Sequence, residues 1–393
     1  MKKVLVLASV ASMIDQFNIP SIKLLQEIGY RVDVACNFKE GNTCSEEKIK
    51  ELKIKLRKMN VDCYQIDFAR NITNIGSNIK ALWQVEALMN RNKYIFIHCH
   101  SPIGGVIGRI SGKKENTKVI YTAHGFHFYK GAPLQNWIIF YPIEKILSRY
   151  TDTLLTINKE DYCFARKNMN AKYIDYIPGI GINLDKFKIK DFDRKQYRKH
   201  LGINDDDFVI LSVGELNDNK NHEQVLKAIS LLKKKNIHYI IAGQGNLKDY
   251  LIDLSKKLGI ENQLHLLGFR KDIAELDYSS DLFILSSLRE GLNVSLMEAM
   301  AVGLPCIANS IRGNVDLIDD ELGGYLVKIN DVNDMAAKIN QVINTDSKEY
   351  NTYNREKIEH FSEKEVLSKL NDIYSSYLWR NEVNYAGNYY NSI

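Results

Sequence analysis

The sequence predicts an α/β protein made of two doubly wound parallel-sheet domains, and three observations lead to this prediction. The chain has 393 residues, more than one hydrophobic core of ordinary size organises. Short apolar segments alternate with longer segments of helical periodicity, as happens when crossover helices join parallel strands. The alternation breaks once, at residues 173–187, and then restarts, so each half is expected to form its own sheet.

The strands of the first domain are expected at residues 4–8, 31–36, 63–67, 94–98, 118–123 and 153–157. Those of the second domain are expected at residues 208–213, 238–242, 263–267, 281–285 and 306–308. Two lysines followed by an apolar stretch also give the N-terminus the form of a signal peptide, but the alternation that follows favours a first buried strand. We expect domains at residues 1–180 and 206–361, a linker at 181–205, and a C-terminal helix and tail at 362–393, the helix crossing back to the first domain.

The composition excludes several classes of protein. With 45% hydrophobic and 26% charged residues the chain is globular, not disordered. Apolar runs such as residues 137–143 are much shorter than the roughly 20 residues of a spanning helix, which argues against an integral membrane protein. The six cysteines are scattered without a CxxC pair, which favours a reducing compartment.

Charge is unevenly distributed along the chain. The net charge is +5, but residues 1–185 carry 26 basic and 17 acidic side chains, whereas the remainder carries 27 and 31. A basic first half indicates an anionic surface or ligand, and the acidic second half argues against a nucleic-acid partner. Residues 48–59 hold six basic residues and one acidic residue, with an apolar helical face. That helix could lie on an anionic membrane surface or pack its apolar face on its own sheet.

The most informative segment is residues 286–305, which follows a buried strand, passes a glycine turn and opens a helix. The unpaired N–H groups of a first helical turn bind anions, and those here belong to Gly291, Leu292, Asn293 and Val294. Glu298, about one turn inside the helix, could accept hydrogen bonds from two ribose hydroxyls. Glu290 would lie near whatever projects from the phosphate. Alternatively, both glutamates are solvated surface charges.

The segment from Glu290 to Pro305 resembles the Glu-x7-Glu signature of family 4 retaining glycosyltransferases, with glycine, helix and proline in register. The resemblance extends over nearly the whole chain. It implies the GT-B architecture, in which two Rossmann-like domains face each other across a cleft. The C-terminal domain would bind a nucleotide-sugar and the N-terminal domain the acceptor, without a metal cofactor.

A second match follows the first strand of the second domain, where Gly214, Glu215 and Leu216 precede Lys220. The family usually has Gly-Arg-Leu with a lysine further along, so the resemblance implies that Lys220 contacts the donor diphosphate. Glu215 replaces the arginine, so either another cation substitutes or the Glu215 side chain points away. Lys220 could also be an ordinary charge at a helix start.

A third match is the turn at Gly268, Phe269 and Arg270, which resembles the turn that closes over the nucleobase. The resemblance implies that Arg270 approaches the diphosphate. A helix-capping turn around Asp272 explains the same residues without a ligand.

In the first domain, His124 follows a strand end and resembles the histidine that contacts the donor sugar in this family. It could instead be a structural histidine that bonds backbone carbonyls. His98 and His100 stand on either side of Cys99, an alternation that suggests a metal site, but no third metal ligand is evident. The loop after the first strand has no glycine fingerprint, which argues against a dinucleotide dehydrogenase. The resemblance places that loop and the turn after the fourth strand on the acceptor side, through Ser9, Ser12, Met13 and Gly104.

The resemblance therefore implies a retaining glycosyltransferase of bacterial surface polysaccharide or glycan assembly. It would transfer sugar from a UDP-sugar to an undecaprenyl-diphosphate-linked saccharide, with His124, Glu290 and Lys220 as catalytic residues. It would be cytoplasmic and peripheral on the inner face of the cell membrane. Two alternatives stay open: a UDP-sugar epimerase on the same architecture, and a non-catalytic two-lobed sugar-binding protein.

Overall fold

The computed structural model describes residues 2–42, 44–69, 74–346 and 348–389. The chain divides into two compact units. Unit 1 comprises Met1–Ile180 and Lys364–Ile393, and unit 2 comprises Gly181–Glu363.

Over the described residues, unit 1 contains a seven-stranded parallel sheet in the order β3-β2-β1-β4-β5-β6-β7. The inner strand β1 is an almost continuous apolar run whose residues 4–8 are buried, as expected for a strand covered on both faces. The last strand, at the edge of the sheet, was not predicted. The strands are β1 (Lys3–Val10), β2 (Arg31–Asn37), β3 (Asp62–Gln65), β4 (Phe96–His100), β5 (Lys118–Ala123), β6 (Thr153–Thr156) and β7 (Tyr173–Tyr176).

Helices connect these strands. A π-helical turn, Ile14–Asn18, lies between the first two helices. The helices are α1 (Ala11–Met13), α2 (Ile19–Glu27), α3 (Glu46–Lys58), α4 (Ile75–Arg91), α5 (Pro102–Lys114), α6 (Leu134–Leu147) and α7 (Lys159–Asn168).

Helix α3 contains the basic segment for which a membrane surface was considered. Its apolar residues Ile49, Leu52 and Leu56 are buried within the protein, and its lysines are on the outside. The apolar face of α3 is therefore not available to a bilayer.

Unit 2 carries, among the residues that the structure describes, a six-stranded parallel sheet in the order β10-β9-β8-β11-β12-β13. Its last strand was not predicted either. The strands are β8 (Phe208–Val213), β9 (Ile237–Ala242), β10 (Leu264–Gly268), β11 (Leu282–Leu285), β12 (Cys306–Asn309) and β13 (Gly324–Val327).

The helices of unit 2 begin with a segment that the sequence suggested as a linker. Residues 181–205 include a 3-10 helix and α8, and Phe187 and Ile203 are buried in the core of unit 2. The helices are α8 (Arg194–His200), α9 (His222–Leu232), α10 (Lys248–Lys257), α11 (Ile273–Ser279), α12 (Val294–Val302), α13 (Asn314–Leu317), α14 (Val332–Ile343) and α15 (Lys348–Glu359).

The C-terminal helix α16 (Glu363–Tyr389) packs on unit 1. The Tyr30 hydroxyl donates to the Tyr374 carbonyl at 3.1 Å, and the hydroxyls of Tyr377 and Thr153 are 2.7 Å apart. The helix takes up most of the segment 362–393 that was predicted as a helix and tail, and the end of that segment, residues 390–393, lies outside the described residues.

The predicted fold class, two doubly wound parallel-sheet domains, is confirmed. Within the described ranges, no helix combines the length and the apolar character needed to cross a bilayer.

Candidate active site

The structure brings together two of the predicted catalytic residues, Lys220 and Glu290. They lie on the loops that follow the neighbouring strands β8 and β11, and Lys220 Nζ is 2.8 Å from Glu290 Oε1. Both side chains are largely buried, at 16% and 15% exposure. Further bonds hold the two loops together: the Leu288 N–H donates to the Asn219 carbonyl, and the Ser286 hydroxyl donates to the Lys220 carbonyl.

Gly214 provides the space in which the Lys220 side chain lies. A Cβ at position 214 would be 2.9 Å from Lys220 Cε. A Cβ at Gly243, after β9, would meet the Gly214 carbonyl oxygen at 1.7 Å, so the two loop backbones are in direct contact. Glycine at both positions is therefore a packing requirement for the course of the lysine-bearing loop.

Helix α12 begins at the carboxyl edge of the sheet of unit 2. Asn293 caps it, since the side-chain oxygen accepts from the Leu296 N–H at 3.0 Å. The first-turn N–H groups of a nine-residue helix have no intrahelical acceptors, so this end carries partial positive charge. The turn of Gly291 and Leu292 passes close to Gly313, where a Cβ would be 2.0 Å from the Gly291 carbonyl oxygen.

Glu298 lies one turn into α12 and is half-buried. Burial raises the pKa of its carboxyl to about 7, and the positive charge of Lys186 opposes this shift. Near neutral pH the carboxyl therefore changes between protonated and ionised forms.

A second buried carboxyl accompanies Glu298 and was not anticipated from the sequence. Asp277 on α11 is fully buried, and neither of its carboxyl oxygens has a hydrogen-bond partner within the described residues. Burial, and secondarily the charge of Glu298, raises the pKa of Asp277 well above its usual value. We therefore expect Asp277 to be protonated.

Arg270 is held by its own turn. Its guanidinium forms an ion pair with both oxygens of Asp272 and donates to the Tyr197 hydroxyl at 3.1 Å. The pKa of Asp272 is lowered to about 2, mainly by the bond from Arg270. The Asp272 side chain does not cap α11. It pairs with Arg270 instead, so the capping turn considered in the sequence analysis does not form.

The residue that replaces the usual family arginine, Glu215, is exposed and accepts a hydrogen bond from Asn217 Nδ2 at 2.9 Å. A cation that was not predicted, Arg312, contacts the backbone of Glu290. Arg312 follows β12, is 7% exposed, and donates from Nε to the Glu290 carbonyl at 3.3 Å. The only sequence signal for it is a position after a strand of the same sheet.

A chain of hydrogen bonds orients His124 in unit 1. Asn18 Nδ2 lies 2.9 Å from His100 Nε2, and His100 Nδ1 lies 3.2 Å from His124 Nε2. With the Asn18 amide in this orientation, His100 accepts at Nε2 and donates from Nδ1, so His124 accepts at Nε2 and carries its own proton on Nδ1. Burial lowers the pKa of His124 to about 4 and that of His100 well below its usual value, so both rings are neutral at pH 7.

His98 takes part in a separate set of bonds. Its Nδ1 is 2.8 Å from the Tyr374 hydroxyl and its Nε2 is 2.8 Å from Thr122 Oγ1. Burial lowers the pKa of His98 to about 3. Both ring nitrogens thus bond protein hydroxyls.

The residues predicted for the acceptor side lie at the carboxyl edge of the sheet of unit 1. Ser9 and Gly104 are linked through Ser101, whose hydroxyl accepts from the N–H groups of both, at 3.1 and 3.4 Å. Ser12 is buried and its N–H donates to Asn42 Oδ1, whereas Met13 is half-buried. Ser101 has a φ of +66°, an uncommon conformation for a residue with a side chain.

A cavity of 610 Å³ in unit 2 lies beside this site and not in it. Its lining includes Asn217, Glu223 and Tyr250, but none of the predicted donor-binding residues. The chemical groups that converge are instead those of Lys220, Glu290 and the start of α12.

Comparisons with known proteins agree with this fold. The model of the family described as glycosyl transferases group 1 matches residues 193–360, and that described as glycosyl transferase 4-like matches residues 3–158. A putative glycosyltransferase of Bacillus subtilis, EpsD, is 34% identical, with 96% of this chain and 97% of EpsD covered. An Escherichia coli enzyme named UDP-Gal:alpha-D-GlcNAc-diphosphoundecaprenol alpha-1,3-galactosyltransferase is 31% identical over 78% of this chain and 81% of its own length.

Solved structures show the same architecture. HepE from Anabaena, in complex with UDP and glucose, superposes with a TM-score of 0.76 at 18% identity, covering 96% of this chain and all of HepE. A glycosyltransferase from Rickettsia africae gives a TM-score of 0.77 at 20% identity, covering 96% of this chain and 98% of its own.

The fold and these matches define a glycosyltransferase of the GT-B type. The chain belongs to the group 1 glycosyltransferases, the family 4 enzymes that the Glu-x7-Glu signature predicted.

Proposed function

We propose that this enzyme transfers a sugar, with retention of anomeric configuration, from a UDP-sugar to a lipid-linked saccharide during assembly of a surface polysaccharide. The observation that carries the donor half is the contact between Lys220 and Glu290 beside the start of α12. The Escherichia coli relative, whose name specifies a UDP-sugar and a diphosphoundecaprenol-linked acceptor, supports both substrates, and HepE, solved with UDP, supports the donor.

The diphosphate is assigned to the cations and dipole at the carboxyl edge of unit 2. Departure of UDP concentrates negative charge on the β-phosphate, so Lys220 and the N-terminus of α12 stabilise the transition state more than the ground state. Arg312, which contacts the Glu290 loop, supplies the second positive charge that the family arginine would otherwise provide. Glu215, exposed and bonded to Asn217, does not oppose them.

The ribose and the sugar are assigned to the two glutamates. Ionised Glu298 accepts from the ribose hydroxyls, while Glu290, displaced from Lys220 by the diphosphate, accepts from hydroxyls of the transferred sugar. Arg270 is paired with Asp272 and serves mainly to hold the turn after β10, where backbone groups contact the nucleobase.

His124 is assigned to the donor sugar from unit 1. Because the ring is neutral and its proton lies on Nδ1, it donates one hydrogen bond without adding charge at the reacting centre. Asn18 and His100 are positioning residues that fix this tautomer.

The test is a transfer assay with a panel of UDP-sugars and a polyprenyl-diphosphate-linked saccharide. Transfer that requires both substrates and yields an α-linked product from an α-linked donor supports the proposal. Conversion of the UDP-sugar to its epimer without acceptor would instead show an epimerase, and binding without turnover would show a non-catalytic protein.

A further inference from the structure

A large apolar surface lies on unit 1, away from the residues discussed so far. Helix α5 forms the floor of a groove and α4 and α6 form its walls. The groove has a volume of 440 Å³, and ten of its eleven lining residues are aliphatic, with Asn78 the exception. We call it the α4–α6 groove.

The walls of the groove carry large apolar side chains in water. On α6, the lining residue Ile146 is 55% exposed; on α4, the lining residue Ile75 is 67% exposed, and Trp83, next in sequence to the lining residue Leu82, is 66% exposed. Of the fourteen residues of α6, a strongly apolar helix, Leu147 alone is buried. Contiguous exposed apolar surface of this kind marks a binding face, since it opposes solubility.

A basic pocket continues the groove at one end. Groove residues Ile110 on α5 and Ile146 on α6 are each followed, one turn later, by Lys113 and Arg149, which line a second cavity of 260 Å³. Lys118 and Lys172 also line this cavity, against one acidic residue, Asp152, which is 3.2 Å from Lys118. An apolar groove that ends in four cations is complementary to an anionic amphiphile, which has an apolar chain and a negatively charged headgroup.

We propose that the α4–α6 groove and its basic pocket dock unit 1 on an anionic phospholipid bilayer. The apolar walls enter the acyl boundary, with Trp83 at the interface, and the basic pocket holds a phosphate headgroup. A second copy of the chain would present the same cations, so the charges favour a lipid surface over self-association. The proposal goes beyond the proposed function and replaces α3, whose apolar face is buried, as the membrane-facing element.

The groove runs along α5 from the acceptor-side edge of the sheet to the basic pocket. Helix α5 begins at Pro102, beside Gly104 at the carboxyl edge of the sheet, and ends near the basic pocket at the opposite edge. A bilayer on this face would run alongside the acceptor-side edge and keep a lipid-anchored substrate within reach.

The experiment is vesicle flotation of the full chain with phosphatidylcholine alone and with about 30% phosphatidylglycerol added. We expect binding to the anionic vesicles only. Ile143→Asp/Ile146→Asp on α6, at two lining positions of the groove, should weaken it by about tenfold or more, because two apolar side chains leave the interface. Ile54→Asp, at a position 54% exposed on α3, is the matched control and should bind like the wild type.

A second pair of variants tests the basic pocket. Arg149→Gln should lower binding about fivefold, whereas Lys50→Gln, which removes an exposed cation from α3, should not. Calorimetric UDP binding and thermal unfolding are measured on every variant and should be unchanged, so failure of the membrane proposal is distinguishable from failure of the donor assignment.

Four results would overturn the proposal: no vesicle binding by the wild type, binding independent of lipid charge, binding that survives the α6 changes, or equal loss in the α3 controls. Self-association that the α6 variant abolishes, without vesicle binding, would assign the face to a second copy of the chain.

Discussion

Lys220 and Glu290 are the residues on which the donor assignment depends most directly. In the unliganded chain each neutralises the other at 2.8 Å, and a bound diphosphate competes with Glu290 for the ammonium group. Lys220→Ala should remove about 2–4 kcal/mol of transition-state stabilisation and therefore lower the turnover number, with a smaller effect on KM. Steady-state transfer kinetics measure both.

Lys227→Ala provides the control, because Lys227 also pairs with a glutamate in unit 2, Glu223, but at a more exposed position on α9. It should leave kinetics unchanged. Lys220→Arg should recover part of the lost rate. Equal rates for Lys220→Ala and wild type would remove Lys220 from the mechanism.

The raised pKa of Glu298 makes donor binding depend on pH. The carboxyl has a pKa of about 7, so it is mainly protonated at pH 6 and mainly ionised at pH 8. Only the ionised form accepts hydrogen bonds from both ribose hydroxyls, so UDP affinity should rise through this range and level off above it. Glu298→Gln should flatten the rise, and 2′-deoxy-UDP should show a smaller one. The same slope in Glu298→Gln would contradict the assignment.

The tautomer of His124 can be observed without an assay. The ring should remain neutral from about pH 5.5 to 8, because burial lowers its pKa to about 4, and its nitrogen resonances should show the proton on Nδ1. His100→Phe removes the donor to His124 Nε2 and should give a mixture of tautomers. Nitrogen NMR of ring-labelled protein measures this. An unchanged single tautomer in the variant would show that His100 does not position His124.

Among the structural elements, the course of the loop after β8 depends on two glycines. One lies in that loop, and the other lies in the loop after the neighbouring strand β9. Gly243→Ala would place a methyl group against the Gly214 carbonyl, so the backbone must shift, at a cost of about 1–3 kcal/mol in the free energy of unfolding. UDP affinity should fall as well, because the same loop carries Lys220. Gly76→Ala in α4 meets nothing within 4 Å and should be neutral or stabilising. Urea unfolding compares the two, and an equal effect would contradict the packing account.

Most elements could be predicted because buried parallel strands are continuous apolar runs. The two missed strands lack that signal. β7 alternates exposed and half-buried residues at a sheet edge, and β13 is a four-residue edge strand that begins at a glycine. The face of α3 was a genuine ambiguity, since its pattern suits a bilayer and a protein core equally.

The candidate site could be predicted in part. Lys220 and Glu290 follow the first and fourth strands of unit 2, which the Rossmann strand order places side by side, and motifs marked both. The partners of the histidines come from distant segments, Asn18 in a π-helical turn and Tyr374 in α16, and nothing local in the sequence pairs them. Arg312 and Asp277 have no motif around them, so their burial beside the site became visible only in three dimensions.

For the molecule as a whole, the residues proposed to bind the donor nucleotide belong to unit 2, while His124 and the residues proposed for the acceptor side belong to unit 1. The α4–α6 groove belongs to unit 1 as well. We therefore expect donor binding and membrane docking to be separable, so that each can be measured on variants that leave the other intact.

The central claim is that unit 2 binds a uridine diphosphate through the residues around α12. Calorimetric titration of the full chain with UDP, GDP and NAD, repeated with Glu298→Ala, tests it most directly. The account predicts binding of UDP in preference to GDP and NAD, and clear weakening by the substitution. Absence of nucleotide binding, or UDP binding that Glu298→Ala leaves unchanged, would contradict it.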